Sequence, residues 1–376
     1  MRRGAEAGAA PPCSRRPFYA MVPDVKATKI RIAVAGLGRI GWTFHCRQIA
    51  AHPQFVLAAV ADTDEARLRE AERTYGCATF RSFQTMLREA APDAVVIATP
   101  THLHREMALA ALRSGAHVFL EKPMAPDLKD ARAIVAAASR AGRILTVYQP
   151  HRAAAYFQQA LRLIAAGTIG QVYHARRGDF RFSRRNDWQS LLKFGGGMLN
   201  NYGAHYLDQL LCLTGRDVTD LFCRLRRVAT LGDAEDVVKV AYATRAGITG
   251  ELDVNMGSTI SPYQMEVYGT KGAIVLHGEE FTVKTLPASL PKKKLDASLA
   301  SAGRAYPQEK VRFRERTVPV DGKLEVDVYA DLARAIRTGS APFVPPEETL
   351  ALMEIMERCR KQAGPIIANR RSGGTE

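Results

Sequence analysis

The stretch Ile30-Arg31-Ile32-Ala33-Val34-Ala35-Gly36-Leu37-Gly38-Arg39-Ile40-Gly41 decides the fold. Its first six residues read as a mostly apolar strand. They run straight into glycines spaced GxGxxG, and a helical stretch follows to about Ala51. A second strand, Phe55 to Ala61, ends at Asp62, about twenty residues past Gly41. Strand, glycine turn, helix and distal acid together form the context of a dinucleotide fingerprint. Gly36 permits the tight turn, Gly38 lets backbone approach a pyrophosphate, and Gly41 allows close helix–strand packing. The helix start, with Arg39 and Ile40 beside it, offers amide donors and partial positive charge to phosphate. Asp62 can accept hydrogen bonds from a ribose diol and repels a 2′-phosphate, which favours NAD. A guanidinium at Arg39 keeps NADP open.

Working outward, the same alternation continues. A charged helix spans about Asp64 to Tyr75. The strand Ala94 to Ala98 ends at Thr99-Pro100, and a helix runs from His104 to Ser114 with Gly115 as its cap. The strand Ala116 to Leu120 ends at Glu121-Lys122-Pro123. An alanine-rich helix over about 127–141 and the strand Ile144 to Tyr148 follow. Strands alternating with helices predict a doubly wound parallel sheet, with ligands at the carboxyl ends of its strands. That edge collects Thr99, Pro100, His104, Glu121 and Lys122 as cofactor-side candidates. An acid and a base arriving together at a buried strand's end are unusual. A partly desolvated lysine there can lose its proton near neutral pH and act as a base. His102 and His104 are two apart and would not share a helix face, so they predict no metal pair. His104 is expected to start its helix bordering the nicotinamide region, with capping and packing as the other reading.

Composition narrows the classes. At 376 residues the chain predicts two domains. No run approaches the roughly 18 apolar residues of a membrane span. The cysteines at 13, 46, 77, 212, 223 and 359 form no CxxC pair. They predict neither a disulfide framework nor a metal site, and they fit a reducing cytoplasm. The formal charge of +15 is spread over the N-terminus, 176–193, 292–314 and the last twenty residues. A nucleic-acid groove would concentrate it in one patch with interleaved aromatics. The cluster Arg176, Arg177, Arg181, Arg184 and Arg185 is expected to steer an anionic substrate. Residues 1–28 read as a disordered extension without a secretory core, and a translation start at Met21 would remove most of it.

After Pro150 the pattern changes. A helix over about 153–166 precedes strand-like runs at 171–182, 218–228, 236–245, 247–256, 264–269 and 272–277. They predict a large, mainly antiparallel sheet with one open face. Residues 287–310 read as a basic surface loop, and two helices, about 327–338 and 347–362, close the chain. Within this half lies Gly195-Gly196-Gly197-Met198-Leu199-Asn200-Asn201-Tyr202-Gly203-Ala204-His205-Tyr206-Leu207-Asp208. The glycines let backbone pass close to a ligand or to another chain segment. On a helix Asn201 and His205 are i,i+4 and face the same way, and Asp208 can fix the tautomer of His205 or cap a neighbour. Trp188 reads either as a packed indole or as a wall for a sugar ring. Arg152 joins the substrate-side candidates.

These residues together resemble the Gfo/Idh/MocA oxidoreductases, the glucose–fructose oxidoreductase and inositol dehydrogenase relatives. The resemblance runs from about Ile30 to Ile366. It rests on the 36–41 fingerprint, Asp62, Thr99-Pro100 with His104, Glu121-Lys122-Pro123, the Gly-Gly-x to Gly-x-His-x-x-Asp segment, and Gly269-Thr270-Lys271-Gly272. It implies an α/β chain: a Rossmann domain (29–150), then an α+β domain (151–366) whose open sheet forms dimer or tetramer contacts, then a tail (367–376). It implies that the terminal helices return to the first domain. Catalytic lysine and histidine map onto Lys122 and His205. Where inositol dehydrogenases place an aspartate four residues before that histidine, this chain has Asn201. The implied activity interconverts a secondary alcohol and a ketone on a sugar, cyclitol or sugar derivative. An NAD-dependent glycoside hydrolase and a non-catalytic nucleotide-binding regulator are the alternatives. The first would cleave glycosides without net NADH, and the second would have no need of a base.

Overall fold

The computed structural model describes residues 28–288, 290, 304 and 310–368. Residues 1–27 of the expected extension, most of the loop at 287–310 and most of the tail lie outside the described residues. Six strands build the first sheet: β1 (Ile30–Ala35), β2 (Phe55–Ala61), β3 (Ala78–Phe80), β4 (Ala94–Ile97), β5 (His117–Leu120) and β6 (Leu145–Val147). Their order is β3-β2-β1-β4-β5-β6, and every pairing is parallel. The order reverses between β1 and β4, which opens a crevice at their carboxyl ends. A π-helical turn, Gly41–Cys46, leads into α1 (Arg47–Ala51). The crossovers continue with α2 (Glu65–Tyr75), α3 (Phe83–Ala90), α4 (His104–Arg113) and α5 (Leu128–Ala141). Side chains of Asp64, Ser82 and Asp127 cap α2, α3 and α5 by accepting from first-turn amides. β3 and α3 are additions to the pattern legible in the sequence.

The second half opens with α6 (Pro150–Ala153) and α7 (Ala155–Ala165). β7 (Val172–Phe180) and α8 (Ala204–Thr214) follow. Next come β8 (Val218–Arg227), β9 (Val237–Thr244), β10 (Thr249–Asn255), β11 (Met265–Gly269), β12 (Gly272–His277), β13 (Glu280–Thr285) and β14 (Arg314–Pro319). After α9 (Val328–Thr338) and α10 (Pro346–Ala363), β15 (Ile367–Ala368) ends the described chain, so the expected tail begins as a strand beside β8. The nine-stranded sheet is mainly antiparallel, with order β14-β13-β12-β11-β7-β10-β9-β8-β15. β9 shows the alternation of a sheet covered on one side: Val238, Val240 and Tyr242 are buried, while their neighbours are half-exposed. Against the covered face lies α8, every residue of which is buried. β14 is an edge strand, exposed along most of its length, and carries Arg314, Glu315 and Arg316.

One core runs between the sheets. Val95, Ile97 and Leu120 of the first join α5, α8 and α10, and through them Val238, Val240 and Leu252 of the second. The opposite face of the first sheet (Ile32, Val34, Phe55) is closed by Tyr329, Leu332 and Ala333 of α9. Thr146 Oγ1 donates to the Val344 carbonyl at 2.9 Å, between the two terminal helices.

Phe157 of α7 is fully buried in the shared core. Phe157→Ala should therefore cost about 3–5 kcal/mol. Differential scanning calorimetry should show one transition moved to lower temperature, with both halves unfolding together.

Candidate active site

The glycine turn separates two kinds of glycine. Gly36 has φ +91°, and a Cβ there would lie 2.7 Å from the Ala98 carbonyl oxygen. A Cβ on Gly41 would lie 1.8 Å from the Gly36 carbonyl oxygen. Both are demanded by the chain's own packing. A Cβ on Gly38 would meet no atom within 4 Å. Its lack of a side chain therefore serves whatever enters the cleft, as a pyrophosphate would require. Asp62 braces the turn: Oδ2 accepts from the Leu37 amide at 2.6 Å and Oδ1 from the Asp64 amide at 2.9 Å. A carboxylate retains further lone pairs for a ribose diol. Arg67 of α2 lies 3.6 Å from Asp62 and also lines the cleft.

This turn forms one end of a cleft of about 1200 Å³. Gly36, Gly38, Arg39, Ile40 and Asp62 line that end. Thr99, Pro100, Glu121 and Lys122 line the sheet edge. Trp188, Asn201 and His205 approach from the second half. Gly41, His104 and Arg152 are not among the lining residues. Gly41 packs beneath the turn.

Lys122 is the centre of the polar geometry. Its Nζ donates to Asn201 Oδ1 at 2.9 Å and to the Asn201 carbonyl at 3.2 Å. Burial pulls its pKa down to about 8; Glu121 opposes the shift, while Arg185 and Arg39 add to it. Glu121 sits on the protein side: Oε1 lies 3.0 Å from His45 Nε2, and Oε2 accepts from the Lys122 amide at 3.1 Å. His45 Nδ1 in turn lies 2.7 Å from the Tyr329 hydroxyl.

His205 is buried, and its Nδ1 lies 2.9 Å from Gln149 Oε1. Burial, with Lys122 and His151 nearby, holds its pKa well below the usual imidazole range. His151 stacks obliquely at 4.6 Å and is itself pushed down to about 4, chiefly by burial. The partner of His205 is thus Gln149, not Asn201 or Asp208. Asn201 serves Lys122, and its Nδ2 donates to Gln189 Oε1 at 3.3 Å.

The triple glycine serves another chain segment. A Cβ on Gly196 would lie 2.4 Å from the Gln189 carbonyl oxygen, and one on Gly197 would lie 2.4 Å from both Glu235 carboxylate oxygens. Glu235 Oε1 accepts from the Leu199 amide at 2.9 Å. It thereby caps the π-helical turn, Leu199–Gly203, that carries Asn201 into α8.

Three expectations are corrected. Arg152 is 2% exposed. Its Nε donates to Asp208 Oδ2 at 2.7 Å and its Nη1 to Glu348 Oε2 at 2.6 Å. A guanidinium so enclosed holds α6, α8 and α10 together and is withdrawn from the substrate. His104 is also buried, its Nδ1 3.0 Å from the Pro123 carbonyl and its Nε2 2.9 Å from the Thr99 carbonyl. It ties two strand ends together behind the cleft. The arginine cluster does not assemble. Arg176 pairs with Glu266. Arg177 donates inward to Gln209 and Gln264. Arg181 pairs with Asp179. Arg185 alone of the five lines the cleft. Trp188, 41% exposed, lines it too. Arg67, Tyr148, His151 and Gln189 line the cleft, and Gln149 reaches it through His205, without being part of a motif; His45 lies behind the cleft against Glu121. Gln149 alone carries a signal, as a polar residue at the end of an apolar strand.

Comparison with known proteins gives the class first: residues 30–149 match the oxidoreductase family with an NAD-binding Rossmann fold. Residues 157–275 match the GFO/IDH/MocA C-terminal domain. The chain belongs to the Gfo/Idh/MocA family and is an NAD(P)-dependent oxidoreductase. It is 27% identical over 335 residues to the uncharacterized oxidoreductase YdgJ of Escherichia coli, covering 87% of this chain and 94% of that protein. It is 27% identical over 256 residues to a myo-inositol 2-dehydrogenase of Thermotoga maritima (65% and 74%). Among solved structures, an NAD-binding protein from Listeria innocua superposes with a TM-score of 0.76 at 25% identity (89% and 95%). The WlbA dehydrogenase of Bordetella pertussis, in complex with NADH and UDP-GlcNAcA, does so at 0.71 and 26% (89% and 96%). No helix among the described residues is long and apolar enough to cross a membrane.

The two glycines give a paired test. Gly38→Ala should leave the melting temperature within about a degree of wild type, since its Cβ meets no protein atom. It should weaken NAD binding at least tenfold by fluorescence titration. Gly41→Ala should lower the melting temperature as well, because its Cβ would collide with backbone.

Proposed function

We propose that this enzyme interconverts a secondary alcohol and a ketone on a sugar, cyclitol or sugar derivative, with Lys122 as the proton-transfer group. The carrying observation is the setting of the lysine amine. It lies at the sheet's carboxyl edge with its pKa lowered to about 8 and two Asn201 oxygens as acceptors. A neutral amine has two N–H bonds and one lone pair. With both N–H bonds directed at Asn201, the lone pair is left to receive the substrate's hydroxyl proton. NAD, when bound, supplies the hydride acceptor, held by Gly38, the amides of the 36–41 turn and Asp62.

His205 has a complementary role in this reading. Gln149 Oε1 accepts, so Nδ1 carries the hydrogen and Nε2 keeps its lone pair. That nitrogen accepts a hydrogen bond from a neighbouring hydroxyl of the polyol and orients the ring, leaving the one proton of the reacting hydroxyl to Lys122. Lys122 binds a proton near pH 8, and His205 does so only well below its ordinary range. The proton therefore goes to the lysine, and an ammonium Lys122 beside a histidine base is disfavoured. In reduction the lysine returns the proton to the forming alkoxide. Trp188 offers an apolar face to a ring, and an anionic group on the substrate would find Arg185. The match to a myo-inositol 2-dehydrogenase supports a polyol substrate. Self-association through the open face of the nine-stranded sheet completes the reading.

Lys122→Ala should lower turnover by about 10²–10⁴-fold while NAD still binds. NADH absorbance across sugars, cyclitols and uronic acids measures this, and turnover within threefold of wild type sinks the lysine's role. Only the deprotonated lysine accepts a proton. Oxidation kcat/KM should therefore rise with pH and level off above about pH 8, and ketone reduction should fall over the same range.

A further inference from the structure

His45 is fully buried, yet nothing in the proposed chemistry touches it. A buried imidazole needs partners for both nitrogens, and here they come from distant segments. Glu121 Oε1 lies 3.0 Å from Nε2, and the Tyr329 hydroxyl lies 2.7 Å from Nδ1. Donor and acceptor roles follow from chemistry. A carboxylate only accepts, so Nε2 carries a hydrogen and donates it to Glu121, while the Tyr329 hydroxyl pairs with Nδ1. Rings of Phe44, Phe119 and Tyr148 surround the imidazole at 5.2, 5.6 and 5.2 Å. The second carboxylate oxygen of Glu121 is taken by the Lys122 amide at 3.1 Å.

Both oxygens of Glu121 are therefore engaged by groups other than the amine next to it. We infer that Tyr329 and His45 are positioning residues that hold the Glu121 carboxylate to the protein side, away from the Lys122 amine. The inference rests on Lys122 being the base. A carboxylate one residue away, released in a buried site, would turn to the amine and form an ion pair. The lysine would then keep its proton to higher pH and serve less well as a base. Other groups facing the amine are Arg39 from the glycine turn, Arg185 from the segment after β7, His205 of α8 and His151 of α6. Asn201, the remaining neighbour, is neutral. None of these would change in the variants below.

The test is the pH profile of kcat/KM for alcohol oxidation at saturating NAD. Tyr329→Phe keeps the ring and removes only the hydroxyl; His45→Asn removes the imidazole. The acid limb should move to higher pH by about half to one unit, a roughly 3–10-fold loss below the limb. The plateau and the NAD affinity should stay within about twofold. Adding Glu121→Gln to Tyr329→Phe should bring the limb back to or below the wild-type position. A limb that stays put or moves down in Tyr329→Phe overturns the inference, as does a uniform loss at every pH, the signature of a purely structural contact. Should His45→Asn fail to fold, Tyr329→Phe decides alone. If Lys122→Ala retains turnover, the reading of Lys122 fails. If Lys122→Ala is inactive and the limb is unmoved, only the positioning role fails.

Discussion

The bond from Lys122 Nζ to Asn201 joins the two halves of the molecule at the point where we propose the chemistry. Lys122 ends a strand of the first sheet, and Asn201 rides on the turn entering α8. Their separation is set by the core that runs from Val95 and Ile97 through α5 and α10 to the second sheet. Interiors packed to crystal-like density transmit displacement rather than absorb it. The amine's position is thus a property of the whole core. The Arg152–Asp208–Glu348 group serves the same end, pinning α6, which follows Gln149, to the helix bearing His205. A buried guanidinium is costly unless paired, and here it is paired twice.

Most of the first sheet was legible because its signals are local. Strand β1, its glycines and Asp62 lie within about thirty residues, and the structure shows the tight turn at Gly36, the close packing at Gly41 and Asp62 at the same end of the cleft. β3 escaped because it is three residues long and only partly covered. β13 does carry a period-two signal, Phe281 and Val283 buried between polar neighbours, whereas β14 escaped for a reason related to that of β3. β14 lies at an edge and alternates charges rather than apolar and polar residues, so burial writes no period into it.

The candidate site was legible where a motif coincided with a strand end, as at Lys122. It was not legible where a partner is fixed only by folding. His45 meets Glu121 across 76 residues and Tyr329 across 284, and no local pattern encodes either meeting. The arginine cluster is a different kind of miss. Arg176 and Arg177 are adjacent in a strand and so point to opposite faces. The period-two rule, applied to charges as well as to apolar residues, separates them. Arg152 and His104 looked functional because polar residues near a strand end usually face solvent or ligand. Both are instead spent internally.

The placement of α9 bears on how the chain matures in the cell. Tyr329, Leu332 and Ala333 belong to the same apolar cluster as Ile32, Val34 and Phe55. A ribosome makes Ile32 and Val34 almost 300 residues before Tyr329. In that interval the face of the first sheet that α1 and α2 partly cover lacks the Tyr329, Leu332 and Ala333 side chains that complete it. Exposed faces of this kind are where nascent chains associate wrongly.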